Sequence, residues 1–446
     1  MTNRFKLVAA LLSILAVGVC LNLYSEGRAE TATGPQASQS SAAKNPAAKQ
    51  PAADMSARPT ADDAGAQARF AWYLFLEAMK PQNGSLAFES WTEQCQLSPA
   101  MAFCPSPSIV AAAAKRAGKG RVRIPHGSAL QRKLLGAKAN ALQPGDECNG
   151  MATAPVGGFP PPANVTATAK FCEEVFVNTA EAGFVKQSGL TTLGGQQTYG
   201  NAHGGAITFP WTGVEIKADW VPVSSYSNPT FACPDPTHSL YTETINGTCY
   251  ALVGLHISSK VLPDWLWATF EPNSNVTNPN RCDPSLYSTC FDPWGTTSSQ
   301  PYGKGHPAQQ SPQLHQAMAA AHLNPAFNNY FLTGAQSQFV SNGKPVPLGS
   351  SFVEFNAGVF PGQASCITCH RYAYFDGKQP LPSSPTYPAE NNFGGPPTGW
   401  ASVGYACNQP NPSANCTPVT PNSTSQDFSW MLGLMPYGGA GAKSRN

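Results

Sequence analysis

Charged side chains are scarce in this chain, 12% of 446 residues against a usual share of about 25%, and neither sign dominates. With 27 basic and 25 acidic residues the formal net charge is +2, so the whole molecule lacks the electrostatic footprint of a nucleic-acid binder. It contains no P-loop, no GxGxxG turn and no GxSxG nucleophile elbow, which lowers nucleotide-dependent and serine-hydrolase readings. Apart from CITCH (366–370) there is no second CxxC and no HxxxH pair, so a structural zinc site lacks the partner ligands it would ordinarily need.

Long apolar runs are nearly absent too. The one candidate is LVAALLSILAVGVCL (7–21), preceded by Arg4 and Lys6 and followed by the polar NLYSEGRA (22–29). It is shorter than the roughly 20 residues of a membrane span, and its layout is that of a secretory signal with Gly27 and Ala29 at the exit. Residues 1–29 therefore read as a signal peptide cleaved after Ala29, or as an uncleaved anchor that tethers the chain through 7–21. Bulky Val19 before Cys20 argues against a lipoprotein.

Glycine (40) and proline (42) are abundant and hydrophobic residues reach 41%, which predicts short elements, many loops and at least one large core. Export changes the meaning of the 13 cysteines. Leaving out Cys20, Cys366 and Cys369, the rest fall into close neighbours: Cys95 and Cys104, Cys148 and Cys172, Cys233 and Cys249, Cys282 and Cys290, Cys407 and Cys416. An even set in an exported chain predicts disulfides, with nearest-neighbour pairing as the working hypothesis.

Residues 30–66 are rich in Ala, Pro and Ser with almost no aliphatic or aromatic side chains, and read as a disordered tether. AQARFAWYLFLEAMK (66–80) predicts a helix ended by Pro81, and SLAFESWTEQC (85–95) a second short one. KRAGKGRVRIPHGSALQRKLLGAK (115–138) carries eight basic residues, Arg123 among them, and no acid; it reads as a solvated loop or a docking patch for an acidic redox partner. Beyond residue 200 the pattern becomes strand-like. Val214, Ile216 and Ala218 alternate with Glu215, Lys217 and Asp219, TCYALVGLHISSKVLPDWLWATFE (248–271) holds another apolar strand and a tryptophan-rich turn, and Asn342-Gly343 marks a type I′ turn. The fold class is α+β, loop-rich and mainly antiparallel with short helices, the body spanning 67–335.

The chemistry rests on SCITCH (365–370). Cys366 and Cys369 are spaced so that each thiol can add to one vinyl group of a porphyrin, and His370 follows where it can reach the iron. A zinc corner, a redox dithiol and plain thiols are the rivals; the loop-like NAGVFPGQAS (356–365) before the motif is unlike the βαβ setting of a thioredoxin dithiol.

The motif resembles the c-type cytochromes. The resemblance implies one covalent haem c, with thioether bonds to Cys366 and Cys369 and His370 as proximal iron ligand. The wider pattern of AITFPWTGVEIKADW, GLHIS with LPDWLWATFE, SFVEF before SCITCH, and DFSWMLGLMP is similar to a little-characterised group of larger exported mono-haem cytochromes of proteobacteria, over residues 70–446. It implies a cytochrome c-like haem region over 336–446, periplasmic or secreted localisation, and electron transfer with a periplasmic or membrane redox partner, but no particular substrate. A haem oxidoreductase or peroxidase with an open distal site, and a secreted haem sensor, are the other readings.

For the iron's other face, Met435-Pro436 is the leading candidate, with Met431, His256 and an open or water-bound site as alternatives. His256, in a strand-like apolar context, otherwise reads as a core residue. His126 and His203 read as loop residues without evident partners. Trp265, Trp267 and Phe270 read as packing or as lining for the haem edge. Glu271 and Glu354 are polar residues near aromatic runs, without a substrate to give them a role.

Overall fold

The computed structural model describes residues 54–98, 104–105, 107–117, 122–127, 148–151, 153–154, 160–228, 231–273, 290–297, 309–341, 344–356, 364–370, 373–375 and 424–433. The expected signal and apolar run, most of the tether, Cys282, Cys407, Cys416 and Met435 lie outside them. No helix among the described residues is long and apolar enough to cross a membrane.

Helix α1 (Ala64–Met79) opens on Asp63, whose carboxylate accepts the Ala66 amide at 2.9 Å, and stops before Pro81, which disfavours helical backbone at Lys80. Its start corrects the tether boundary, because residues 54–66 are not featureless. Pro59 is buried, and the Thr60 and Ala61 carbonyls accept from Gln67 Nε2 at 3.1 and 2.8 Å. Backbone carbonyls do this anchoring, and composition is blind to them.

The second expected helix, 85–95, is also corrected. Strands β1 (Pro81–Gln82) and β2 (Ser85–Leu86) form a hairpin around Asn83 and Gly84, both at positive φ (53° and 82°). Two successive left-handed residues make the tight turn that Asn-Gly favours. A 3-10 turn (Ala87–Ser90), strand β3 (Thr92–Glu93) and a four-residue helix (Gln94–Leu97) follow.

The remaining main strands are β4 (Asn149–Gly150), β5 (Lys170–Val177), β6 (Val214–Pro222), β7 (Thr242–Ile245), β8 (Thr248–Ser259), β9 (Leu266–Pro272) and β10 (Tyr330–Gln336). They build one antiparallel sheet with β3, ordered β10-β9-β8-β6-β5-β3, with β4 beside β5 and β7 beside β8. One face is apolar. Ile216, Ala218, Trp220, Leu255, Ile257, Ala268, Phe270 and Leu332 pack under α1, where Trp72 and Phe75 sit 4.9 and 4.7 Å from the Phe270 ring. Each large side chain buried there contributes about 1.5–3 kcal/mol.

The other face carries the polar half of the alternation, and it is not solvated as a half-exposed sheet would be. Glu215, Asp219 and Glu271 are buried, because segments from the last quarter of the chain lie over them. Ser351 donates from N and Oγ to Glu271 at 2.7 and 2.6 Å, Ile367 N to Gln336 Oε1 at 3.2 Å, and Ser429 Oγ to Glu215 Oε1 at 2.6 Å. The described parts of 336–446 are thus packed onto the body's own sheet. Within them, β11 (Val340–Ser341) and β12 (Lys344–Pro345) pair with Ser341 opposite Lys344; the expected Asn342-Gly343 turn lies outside the described residues.

Disulfides join Cys95 to Cys104, Cys148 to Cys172 and Cys233 to Cys249, as the nearest-neighbour pairing expects, and Cys290 is disulfide-bonded as well. Closing loops of this size contributes about 2–4 kcal/mol each. The basic stretch is corrected at one position. Arg123 is not part of a docking patch; its guanidinium is buried against Glu89 (2.9 Å), Glu174 (2.5 Å) and Glu243, over the Trp220 ring.

Candidate haem-attachment site

Positions 366, 369 and 370 share one helical turn (Cys366–His370), and their spacing places them on one side of it. The turn is held against the sheet's polar face. Leu348 N donates to Ala364 O at 2.9 Å, Cys366 Sγ lies 3.6 Å from Leu348 O, and Ile367 is fully buried in a second apolar cluster that also holds Trp267, Phe428 and Leu432.

His370 leaves this turn half-buried. Its Nδ1 is 2.7 Å from the Phe428 carbonyl, and its ring lies 4.4 Å from Trp267 and 6.4 Å from Trp430. A carbonyl can only accept, so Nδ1 carries the hydrogen. Burial pushes the imidazole down to about 4, which keeps it neutral at pH 7. The lone pair is then on Nε2, which has no hydrogen-bond partner among the described residues. One ring nitrogen oriented by a carbonyl and the other left bare is the arrangement of a metal-ligating histidine. Two cysteine positions and a neutral imidazole on one turn fit a covalently held haem.

The carbonyl that orients His370 is itself fixed. Asp427 and Phe428 both have positive φ (52° and 67°), an unfavourable backbone for Phe. Asp427 Oδ1 pairs with the fully buried Lys260 Nζ at 2.6 Å, and Oδ2 accepts the Phe209 amide at 2.8 Å; Lys260 Nζ also donates to Pro263 O at 2.6 Å. Gln196 Nε2 adds a contact to Leu432 O at 3.0 Å.

Beside this segment the polar face is laid out by register. Lys217 stands opposite His256, and His256 opposite Thr269; Glu215 stands opposite Ser258, and Ser258 opposite Trp267. Lys217 Nζ is 3.0 Å from Glu173 Oε2. Burial raises Asp219 well above the usual carboxyl range and Glu354 to about 7. His256 is lowered well below the usual imidazole range by burial, with Lys217 and His370 adding to it.

Behind Ser429, which donates to Glu215, Glu181 is fully buried and neither of its carboxyl oxygens has a hydrogen-bond partner among the described residues, a setting that favours the protonated acid. Burial raises Glu181 well above its usual range, and Glu215 adds to that. A carboxyl whose folded pKa is raised contributes stability that is complete below its unfolded value and is lost as pH rises toward the folded one. Unfolding free energy should therefore fall between about pH 4.3 and the alkaline side. Glu181→Gln should reduce that slope, and should stabilise the chain by about 1 kcal/mol or more at pH 8. Parallel urea-titration profiles for the two proteins would refute a protonated Glu181.

Of the other residues singled out from sequence, Met435 is outside the described residues, and Met431 is buried in the apolar cluster. Trp267 does reach His370, while Trp265 packs on Trp267 and Phe270 faces α1. Glu271 and Glu354 tie down the 350–354 segment, Glu354 through the Ser350 amide. His126 is corrected from a loop residue to a buried one, with Nε2 3.5 Å from Glu93. His203 ends the helix Leu193–Ala202, exposed and stacked on Tyr199. Glu93, Cys95 and His126 would bring three ligand atoms within 4.8 Å, but the Cys95 sulfur is committed to Cys104. Sequence reasoning passed over Lys260 and Asp427; a lone lysine in an apolar run (SSKVLPDW) was the available signal.

The chain matches no protein-family model, no curated protein and no solved structure.

Proposed function

We propose that this chain is an exported mono-haem c-type cytochrome, periplasmic or secreted, that passes single electrons to and from a periplasmic or membrane redox partner. The reading is carried by His370: its Nδ1 is held 2.7 Å from the Phe428 carbonyl, on the same turn as Cys366 and Cys369. Cys366 and Cys369 would hold the group through thioether bonds and His370 would be the proximal iron ligand. Bound there, haem supplies a one-electron couple. The protein's part is to keep His370 neutral and aimed, through Phe428, Asp427 and Lys260, and to surround it with the Trp267 and Trp430 rings, which exclude water and so influence the potential.

A second reading, a haem oxidoreductase, is favoured by the buried Asp219 and the half-buried Lys217 and His256 beside the same turn, more polar chemistry than a carrier needs.

The test is expression with a haem-attachment system, followed by haem staining of the denatured chain. Wild type should stain, and Cys366→Ala with Cys369→Ala should abolish staining while far-UV circular dichroism stays unchanged. An unstained wild type would overturn the proposal.

A further inference from the structure

Strand β5 gathers metal-type donors from separate stretches of the chain. Glu93, on β3, stands opposite Phe176, and His126 is bridged to Glu173, its N donating to Glu173 O at 2.9 Å and its O accepting from Glu173 N at 2.7 Å. Cys95 follows on the four-residue helix, and its amide donates to Glu93 Oε2 at 2.8 Å, while the other oxygen, Oε1, lies 3.5 Å from His126 Nε2. His126 Nδ1 is 3.3 Å from the Gly127 carbonyl, which can only accept, so Nε2 is the atom turned to the cluster. The Cys95 sulfur, a His126 ring nitrogen and a Glu93 oxygen all lie within 4.8 Å of one another.

The fourth donor is one bond away. Cys104 is joined to Cys95, and both are half-buried. Their loop is the shortest of the three disulfides between described residues, a separation of 9 against 24 and 16, so opening it returns the least freedom to the unfolded chain. Two thiolates, an imidazole and a carboxylate are donors that tetrahedral zinc accepts, whereas Ca²⁺ and Mg²⁺ want oxygen. With bonds of about 2.0–2.3 Å such an ion sets its donors about 3.3–3.8 Å apart, the spacing that Glu93 and His126 already have.

We propose that Cys95, Cys104, His126 and Glu93 form a zinc site that is released when the Cys95–Cys104 bond is reduced, so that the β3 edge of the sheet is fastened either by a disulfide or by a metal ion. A dithiol reductant supplies the two electrons, ending as a disulfide itself and leaving two protein thiols. Zn²⁺ then displaces both thiol protons as two Zn–S bonds form, and takes the His126 lone pair and a Glu93 oxygen. Burial opposes charge on His126, but Glu93 and Glu173 outweigh it and raise the imidazole above its usual range. The carboxylates that favour a proton on this ring in the disulfide form favour a cation beside it in the reduced form, where the metal displaces that proton. The site stands independently of the haem reading.

The experiment reduces the full chain with a phosphine under argon and titrates it with Co²⁺ as a spectroscopic substitute for Zn²⁺. The control is Cys95→Ser with Cys104→Ser, treated alike, which keeps every other thiol. Wild type should take up one more Co²⁺ than the control, with a thiolate charge-transfer band and tetrahedral visible absorption that Zn²⁺ abolishes; before reduction the two chains should match. Glu93→Gln and His126→Ala, each checked for unchanged far-UV circular dichroism, should hold that ion about 10–100-fold more weakly, and weakening in either folded variant supports the site. Equal uptake by reduced wild type and control, or an extra ion held as tightly in both variants as in wild type, would overturn the proposal.

Discussion

Arg123→Ala is expected to lose about 3–5 kcal/mol of unfolding free energy at pH 7 in a denaturant titration. The reason is the ratio of charges: one buried guanidinium serves Glu89, Glu174 and Glu243. Three carboxylates exceed one cation, and Glu89 gives way. Burial raises it to about 8, Glu243 and Glu174 add to that, and Arg123 opposes it. Glu89 at pH 7 is therefore mostly an acid hydrogen-bonded within the cluster, and Glu89→Gln should be tolerated. Without Arg123, which lowers it now, the folded-state value of Glu243 would rise as well. Its stability contribution would be complete in acid and lost as pH rises, so the deficit of Arg123→Ala should shrink below about pH 4. A variant within 1 kcal/mol of wild type at pH 7, with a parallel pH profile, would show that the cluster carries no such weight.

Lys260→Met should cost a similar amount, about 3–5 kcal/mol, since it leaves the Asp427 carboxylate buried without its cation. Asp427→Asn in the same chain should recover much of the loss, because an amide still accepts from the Phe209 amide and tolerates positive φ. The cycle of single and double variants should give a coupling energy of about 0.5–3 kcal/mol. The effect should also reach the candidate site. The Lys260–Asp427 pair holds two residues at positive φ, and the second presents the carbonyl to His370. The His370 Nδ1–H should be protected from exchange in wild type, and in Lys260→Met its resonance should broaden or vanish, whereas equal protection in both proteins would place the turn under other control.

Much of this architecture is legible in the sequence. The alternation through 214–219 marks β6, the cysteine neighbours mark three disulfides, and SCITCH marks the turn that ends in His370. Burial is where the reading fails. Glu215, Lys217 and Asp219 alternate with apolar residues just as a solvated face would, and only the packing of residues from 346 onward makes that face interior. Arg123 is hidden in a run of exposed-looking cations because its partners are 34 residues before it and 51 and 120 after. The 85–95 stretch has helix-forming residues, yet Asn83-Gly84 and the pairing of Thr92 with Val177 override local preference. None of these long-range pairings leaves a periodic trace.

The polar face also sets an order of events. Its outer anchors span large separations, 80 residues from Glu271 to Ser351 and 214 from Glu215 to Ser429, and such closures come late, after the more local hairpins of the sheet. The C-terminal segments are also the last to be made. Until they dock, positions 366, 369 and 370 are on an unfastened strip of chain; once Ser351, Ile367 and Ser429 find their places, Ile367 is buried and His370 is held half-buried against Trp267. If haem is attached as proposed, attachment would have to precede this last docking step, and a variant that docks the strip too early should escape modification even with its CxxCH intact.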